Sequence, residues 1–436
     1  MLGDICTTYM TDDEQRGFGT RCVHAGQASD PETGSRAPPL YQTTSYTFSD
    51  ADRAADLYAL EAEGDIYSRI SNPTVATLER RLADLEGGAG ALCTASGMAA
   101  LDAATFLLCE AGDNVVSAAS IYGGTHAYLS HTAARRGIEA RFVDTLDPRA
   151  YDEAIDEHTA YVHCETIGNP SLVTPDLEAV ADVAHDHGVP LFVDNTFATP
   201  ALCRPLEHGA DLVWESTTKW LHGSGTTIGG ALIDGGSFPW GEHPERYPEI
   251  GGENPAFHGL NFAEEFGDRA FTAAARQRAI RSLGGGQSPF DAWVTLQGLE
   301  TLDLRMERHS ANAHGVARFL ADHDAVSWVA YPGLETHETH DTAREYLEGG
   351  FGGMIAFGLE GGYEAGKRLC EDTDLASFLA NVGDAKTLVI HPASTTHAQL
   401  SADEQRASGV TPDLVRLSVG IEDEADIIAD LDGAIA

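Results

Sequence analysis

The chain has 436 residues, of which 42% are hydrophobic, and its 68 Asp and Glu far outnumber its 27 Lys and Arg. The formal net charge of −41 argues against nucleic acid as a partner, because neutralising phosphates requires clustered Lys and Arg. The length exceeds one average domain, and the apolar content is sufficient for a sizeable core. We therefore expect a large domain with a smaller companion.

The acidic residues are spread through the chain rather than gathered in a tail. With the scarcity of lysine, this indicates adaptation to concentrated salt, where screening reduces self-repulsion; an ordinary acidic soluble protein is the alternative. The seven cysteines include no C-x-x-C pair, which is typical of buried thiols in a reducing cytosol. No signal peptide or membrane-spanning apolar run is evident, so we predict a cytoplasmic protein with no membrane partner.

The beginning of the chain predicts an arm followed by a helix. Residues 1–65 are polar and interrupted by Gly and Pro, so we expect little core from them. Asn72 is a good N-cap and Pro73 suits the first helical position. Three leucines then give one apolar face before Gly87 ends the helix.

Beyond this helix, short apolar strands alternate with helices. The alternation predicts an α/β fold with a mainly parallel central sheet covered on both faces. Ligands in such sheets gather at the carboxyl ends of the strands, where Asp194 and Ser216 fall. The predicted strands are 89–94, 114–118, 160–164, 191–194, 212–215 and 229–233, and the predicted helices are 97–108, 124–135 and 175–187.

The second half of the chain begins with an aromatic segment at about 235–283. It lacks a regular period, so we expect an irregular insertion, and an insertion of this length is usually functional or disordered. A long helix is predicted after Ser288 and Pro289, followed by an α/β region with strands at 326–331, 353–359 and 414–419. The predicted organisation is an arm at 1–65, a large domain at 66–290 and a small C-terminal domain at 291–436.

Lysine occurs only at positions 219, 367 and 386, and only Lys219 has a context suited to chemistry. It follows a cluster of hydroxyl residues, downstream of the apolar run that ends in Asp194. An amine buried near a cationic ring has the lowered pKa that attack on a carbonyl requires. A surface lysine is the alternative, since most lysines are exposed. This pattern favours a Schiff base between Lys219 and pyridoxal 5′-phosphate (PLP).

Other residues fit the remaining parts of such a cofactor. Asp194 is placed to keep a pyridine nitrogen protonated, although a loop-capping aspartate is the alternative. Gly97 and Met98 open a helix after a strand, and the free N–H groups of a helix N-terminus bind phosphate. Ser216 and Thr218 add hydroxyls to the same predicted cradle, for which ordinary helix capping is the alternative.

Three further patterns bear on the site. Tyr122 lies at a strand-to-helix junction, where its ring can stack on a flat cofactor or belong to the core. Arg69, close to Tyr67 in the arm, offers a fork for phosphate; we expect it to serve a neighbouring subunit, with a plain surface arginine as the alternative. His337 and His340 miss the H-E-x-x-H spacing, so no metal site is predicted.

In combination, these motifs resemble the cysteine/methionine-metabolism family of fold-type-I PLP-dependent enzymes, from about residue 20 to the C-terminus. Segment 381–397 and the aromatic insertion point, within that family, to the O-acetylhomoserine sulfhydrylases. Phe257 stands where those relatives commonly have Tyr, and it keeps the ring without the hydroxyl. The strings that carry the resemblance are 67–69, 72–74, 96–98, 122–124, 194–196 and 216–219.

The resemblance implies a role for each matched residue at the cofactor. Lys219 would bind PLP covalently and then move protons. Asp194 would pair with the ring nitrogen, and Tyr122 would stack on the ring and assist proton transfer. Asn169 would contact the phenolic oxygen of the ring. The residues implied at the phosphate are Gly97, Met98, Ser216 and Thr218, joined by Tyr67 and Arg69 from the adjacent subunit.

The resemblance also implies substrates and a reaction. Arg416 would bind the α-carboxylate of O-acetylhomoserine, with Asn381 and Ser394 nearby. Acetate would leave Cγ, and sulfide or a thiol would add there, giving homocysteine in the case of sulfide. The implied assembly is a homotetramer of dimers with shared active sites. A methionine or cystathionine γ-lyase, a cystathionine γ-synthase, a nicotinamide-dependent dehydrogenase and an inactive interaction protein are the alternatives.

Overall fold

The computed structural model of the protein describes residues 16–399, 401, 405 and 409–435, so the first part of the predicted arm lies outside the described residues. The larger sheet has seven strands: β1 (Gly90–Thr94), β2 (Asn114–Ala118), β3 (Glu139–Val143), β4 (Thr159–Glu165), β5 (Leu191–Asp194), β6 (Leu212–Glu215) and β7 (Gly230–Asp234). They lie in the order β1-β7-β6-β5-β4-β2-β3, and β7 alone runs antiparallel to its neighbours. The predicted α/β fold with a mainly parallel sheet is confirmed.

Helices connect and cover these strands. The α-helices are α1 (Phe18–His24), α2 (Ala51–Ala59), α3 (Pro73–Glu86), α4 (Gly97–Leu108), α5 (Gly123–Ala127), α6 (Arg149–Ala154), α7 (Leu177–Asp186), α8 (Thr199–Leu202), α9 (Pro248–Gly251), α10 (Phe262–Phe266), α11 (Ala270–Ala274), α12 (Arg281–Leu283), α13 (Pro289–Leu299), α14 (Leu302–Ala321), α15 (His340–Tyr346), α16 (Gly362–Asp372) and α17 (Glu424–Ile435). The predicted start of α3 is as observed: the Asn72 side chain accepts from the N–H of Thr74 at 3.0 Å, a cap worth about 1 kcal/mol.

Both faces of the sheet are buried because successive side chains of its strands point in opposite directions. Val193 and Val213 belong to one apolar cluster with α3, α7 and α13. Phe192 and Leu212, the preceding residues, belong to a second cluster with α4 and α11. This double burial explains why the strands read as continuous apolar runs in the sequence.

Helical order in the aromatic segment corrects the expectation of an irregular insertion. Short helices α9 to α12 and a π-helical turn at Ala275–Ile280 fill it. Trp240 lies 5.0 Å from the ring of Tyr247 and 5.5 Å from that of Phe271, and all three side chains are buried. Tertiary packing of this kind stabilises helices too short to show a period in the sequence.

Two other expectations about secondary structure are wrong. The single long helix predicted after Pro289 is divided into α13 and α14, because Thr301 leaves the helical region with φ −117° and ψ 11°. Strand β3 was not predicted, because it lies at the sheet edge, where Glu139 and Arg141 interrupt its apolar pattern.

The smaller sheet lies within the C-terminal third of the chain. Its strands are β8 (Val326–Ala330), β9 (Met354–Leu359), β10 (Ser377–Phe378), β11 (Leu388–Ile390) and β12 (Leu414–Ser418), in the order β10-β11-β12-β9-β8. Helices α14, α16 and α17 share an apolar cluster with it. Across the described residues, no helix combines the length and apolar character needed to cross a membrane.

Candidate active site

Three acidic residues lie side by side at the carboxyl edge of the larger sheet. Glu165 ends β4 and is paired in register with Asp194, which ends β5. Asp194 is in turn opposite Trp214, so Glu215 at the end of β6 lies one residue further along the same edge. Glu165 and Asp194 therefore face the same side of the sheet, where the sequence predicted a ligand site, whereas Glu215 faces the other side.

Lys219 lies in the turn that follows β6. Its backbone N–H donates to Ser216 at 3.1 Å, and the adjacent Trp220 is fully buried. The Nζ atom donates to Oδ1 of Asn381 at 2.5 Å. Burial, together with the positive charge of Arg416, lowers the pKa of Lys219 to about 8. The lowered pKa increases the fraction of the amine that is neutral near neutral pH.

Asp194 is a buried carboxyl that has no cationic partner among the described residues. Its Oδ1 accepts from the backbone N–H of Thr196 at 2.9 Å. Burial raises the pKa of Asp194. The pKa of the neighbouring Glu165 is raised by burial and by the charge of Asp194. A buried carboxyl in this condition fits a cationic group, and a protonated pyridine nitrogen supplies one.

The N-terminus of α4 forms a close-fitting cradle beside Ser216. A Cβ atom on Gly97 would lie 2.9 Å from Cβ of Ser216 and 3.1 Å from the ring of Trp214, so only glycine fits there. Met98 follows it, partly buried against the core. The hydroxyl of Thr218 contacts the N–H and the carbonyl of Gly229, each at 3.1 Å. The free N–H groups of a twelve-residue helix in this setting suit a phosphate.

Tyr122 places its ring beside the same edge. Its backbone N–H donates to Oε1 of Glu165 at 2.6 Å, while about half of the residue's surface is exposed. A Cβ atom on Gly124 would lie 2.3 Å from the Tyr122 ring, so glycine is required for the ring to lie there. The stacking position predicted for this tyrosine is available to a flat ligand.

The predicted substrate residues come from the smaller sheet. Arg416 on β12 is partly buried and donates to Oδ1 of Asn169 at 3.3 Å. The residue predicted to bind the substrate carboxylate therefore contacts the residue predicted to bind the phenolic oxygen of PLP. Ser394 follows β11, the neighbour of β12, and contacts Nδ1 of His391 at 2.8 Å. Asn381 contacts Lys219 itself, as described above. The site is therefore built between the two sheets.

Tyr67 and Arg69 are not brought to this group of residues within one chain. The guanidinium of Arg69 lies 5.4 Å from the centre of the Tyr67 ring and donates to the carbonyl of Arg281. Among the described residues, no hydrogen bond joins either of them to Gly97, Met98, Ser216, Thr218 or Lys219. Their assignment to a neighbouring subunit stays a prediction.

Sequence reasoning missed several residues around Lys219. Glu165 ends a strand just as Asp194 does, so that signal was available. Arg305 donates to the carbonyls of Trp220 at 2.6 Å and Leu221 at 3.2 Å, and only the folded chain shows this buried support. A cavity of about 640 Å³ opens beside the lysine; it is lined by Thr218, Lys219, Gly225, Thr226, Thr227, Ile228, Asp291 and Asn381.

The structure fits PLP on three independent points. Asp194 is a buried carboxyl without a cation, Gly97 leaves a cradle that any side chain would fill, and Lys219 is an amine with a lowered pKa. No cluster of three or more metal-ligating side chains occurs in the part of the chain that the structure describes.

Comparisons with known proteins agree with this chemistry. The chain is 49% identical over 423 residues to homocysteine synthase of Schizosaccharomyces pombe, covering 97% of this chain and 99% of that protein. It is 50% identical to O-acetyl-L-homoserine sulfhydrylase of Leptospira meyeri, covering 95% and 96%, and 50% identical to O-acetyl-L-homoserine sulfhydrylase 1 of Thermus thermophilus, covering 96% and 100%.

A solved structure leads to the same family. A putative O-acetylhomoserine (thiol)-lyase from Campylobacter jejuni, with a pyridoxyl-lysine phosphate, superposes with a TM-score of 0.93 at 40% identity, covering 96% of this chain and all of that one. The family model for Cys/Met metabolism PLP-dependent enzymes matches residues 19–436. The chain therefore belongs to the Cys/Met metabolism family of PLP-dependent enzymes.

Proposed function

We propose that the protein catalyses γ-replacement on O-acetylhomoserine, with sulfide as the incoming nucleophile and homocysteine and acetate as products. The observation that carries the proposal is the amine of Lys219, lowered in pKa and held between Asn381 and the positive charge of Arg416. The names of the relatives at about 50% identity over nearly the whole chain support the same substrates.

The proposed roles begin with substrate binding. The guanidinium of Arg416 binds the α-carboxylate, since a planar fork matches a carboxylate with two parallel hydrogen bonds. Asn381 and Ser394 are proposed to orient the amino acid. Fixing the substrate at one end aligns its Cα–H with the Lys219 amine, which reduces the entropy lost on reaching the transition state.

PLP, when bound, supplies an electron sink that stabilises negative charge at the substrate's Cα. Gly97, Met98, Ser216 and Thr218 hold its phosphate, Asn169 its phenolic oxygen and Asp194 its ring nitrogen in the proposed arrangement. Tyr122 stacks on the ring, and the neutral amine of Lys219 takes a proton from Cα. Lys219 would also move the Cβ proton that is lost before acetate departs from Cγ.

Product analysis tests this proposal. Purified protein with PLP, O-acetylhomoserine and sulfide is expected to form homocysteine and acetate in equal amounts. O-succinylhomoserine and methanethiol serve as competing substrates for selectivity. Release of 2-oxobutyrate without homocysteine would assign a γ-lyase instead, and a product formed only with cysteine would assign a cystathionine γ-synthase.

We further propose a cytoplasmic homotetramer built from dimers that share their active sites, with a 1–65 arm, a 66–290 large domain and a 291–436 small domain. The partner's phosphate site is the target proposed for Tyr67 and Arg69. Support comes from the arm, which exposes the rings of Tyr41, Phe48 and Tyr58, and from the guanidinium of Arg69, which donates to the carbonyl of Arg281.

Subunit mixing provides a sharp check on the shared site. Lys219→Ala and Arg69→Ala variants are each expected to be weakly active or inactive, whereas co-refolded mixtures regain activity. In a mixed dimer one site combines an intact Lys219 with an intact Arg69 from the other subunit. If Arg69 served its own chain, mixing would restore nothing.

A further inference from the structure

Two fully buried glutamates lie close to the loop that begins directly after Asp194. Glu86 ends α3 and Glu215 ends β6, and neither side chain reaches solvent. One oxygen of Glu86 accepts from Nδ2 of Asn195 at 2.8 Å. No N–H or hydroxyl of the described residues donates to its other oxygen or to either oxygen of Glu215. Three carboxyl oxygens are therefore buried without a conventional donor.

A buried carboxylate without a donor is strongly unfavourable, so a proton has to be retained in this pair. Burial raises the pKa of both glutamates, and each interacts with the other through a side-chain hydrogen bond. A carboxyl that keeps its proton can donate to its partner, which gives the unpartnered oxygens a common explanation. The other titratable or charged groups that interact with the pair are Asp194, Cys203, Arg204 and Glu207.

The pair contacts the cofactor site through Asn195. The Asn195 side chain also donates to the carbonyl of Cys203 at 2.9 Å and accepts from the hydroxyl of Thr166 at 2.8 Å. Its backbone N–H donates to the carbonyl of Trp214 at 3.0 Å. Asn195, directly after Asp194, is thus held by hydrogen bonds of both its side chain and its backbone. Glu86 accepts one of these hydrogen bonds.

We propose that Glu86 and Glu215 share one proton and act together as positioning residues for Asp194. The shared proton removes one negative charge from behind Asp194, so that Asp194 is the carboxyl that ionises against the ring nitrogen. The hydrogen bond from Asn195 to Glu86 fixes the loop that begins directly after Asp194. This inference rests on the proposed role of Asp194, but its tests require no turnover.

The first test measures melting temperature against pH for the apoprotein. The folded wild type binds the shared proton more tightly than the unfolded chain, so its stability falls as pH rises from about 4.5 through neutrality. In Glu215→Gln the amide donates to Glu86 and no proton is required. The melting temperature of Glu215→Gln minus that of wild type is expected to increase steadily from pH 5 to pH 9, and a constant difference would overturn the shared proton.

The second test measures PLP affinity of the apoprotein by absorbance. Glu86→Gln keeps an acceptor for Asn195 and is expected to bind PLP like wild type at pH 7.5. Glu86→Leu removes this acceptor. We expect the dissociation constant of PLP to rise about tenfold, as for other residues that orient a binding residue without contacting the ligand. Wild-type affinity in a folded Glu86→Leu protein would overturn the positioning role. If that variant does not fold, the pH series on Glu215→Gln still decides the shared proton.

A matched control is available at the opposite end of the strands of the larger sheet. Asp234 ends the antiparallel strand β7 and is paired with Leu212 at the start of β6. It is buried, and burial raises its pKa to about 7. Asp234→Asn is expected to alter the pH dependence of melting while leaving PLP affinity unchanged. A loss of PLP affinity in this control would show that any buried carboxyl affects the site, which would overturn the specific role of the pair.

Discussion

Acidic side chains have opposite surroundings at the carboxyl ends of the larger sheet's strands and at the outer surface. At the sheet edge, Asp194 and Glu215 are buried without a cation among the described residues, and their pKa values are raised. At the surface, Asp147 forms an ion pair with Arg149 at 2.5 Å and its pKa is lowered. Burial without a cation thus raises the pKa of the carboxyls at the sheet edge, whereas an ion pair lowers the pKa of Asp147.

The same contrast separates the three lysines. Lys367, which is partly exposed, lies 3.9 Å from Glu371, and the exposed Lys386 lies 3.7 Å from Asp384. Only Lys219 is held in a cavity, with its amine on an amide oxygen and its pKa lowered. Chemical function here follows from burial and neighbours and not from residue type alone.

The largest expected effect comes from breaking the contrast between lysines. Lys219→Ala removes the amine proposed to bind PLP, and we expect homocysteine formation to fall by about 10³-fold or more. Lys367→Ala is the control, with activity expected within about twofold of wild type because an exposed pair contributes little. Comparable losses in both variants would remove Lys219 from its assigned role.

The next largest effect concerns the two kinds of carboxyl. Asp194→Ala is expected to lower turnover by about 10²-fold, since one preorganised electrostatic partner contributes on that scale. Asp147→Ala removes a surface carboxyl and is expected to leave steady-state kinetics unchanged. Kinetics of Asp194→Ala equal to those of wild type would contradict the pairing with the ring nitrogen.

A smaller effect is expected in the pH dependence of cofactor capture. In its proposed role, Lys219 would attack the PLP aldehyde as the neutral amine, so the association rate of PLP with apoprotein should rise with pH and level off above about 8. At pH 6 the rate should be about 100-fold below the plateau, because pH 6 lies about two units below the pKa of Lys219. Stopped-flow absorbance measures it, with Lys386→Ala as the control that keeps the same inflection. An inflection near 10.5 would indicate an amine that burial does not perturb.

The smallest effect concerns the acidic surface. Added salt screens repulsion among exposed carboxylates, so the melting temperature should rise by about 5 °C between 0.1 M and 2 M KCl. Replacing Glu335, Glu338 and Glu345, all exposed around α15, by glutamine should reduce this salt dependence. A melting temperature that is independent of salt would disfavour the proposed salt adaptation.

Much of the fold and site was predictable because strand patterns and motif residues are local in sequence. The apolar runs that form β5 and β6 are sufficient by themselves to locate Asp194, Ser216 and Lys219 at one edge of the sheet. The Glu86–Glu215 pair was not predictable, since a helix end meets a strand end only in the folded chain. The helices of the insertion were missed for a related reason: their stability comes from aromatic packing between distant residues.

The scarcity of primary amines has a practical consequence for labelling. Lys367 and Lys386 each lie next to a carboxylate, so an aldehyde reagent at mildly alkaline pH meets one partly buried lysine with a lowered pKa, Lys219, in the described chain. Borohydride trapping followed by peptide mapping should then place nearly all incorporated reagent on a single fragment. The molecule is therefore suited to attaching a probe at one defined interior position without prior engineering.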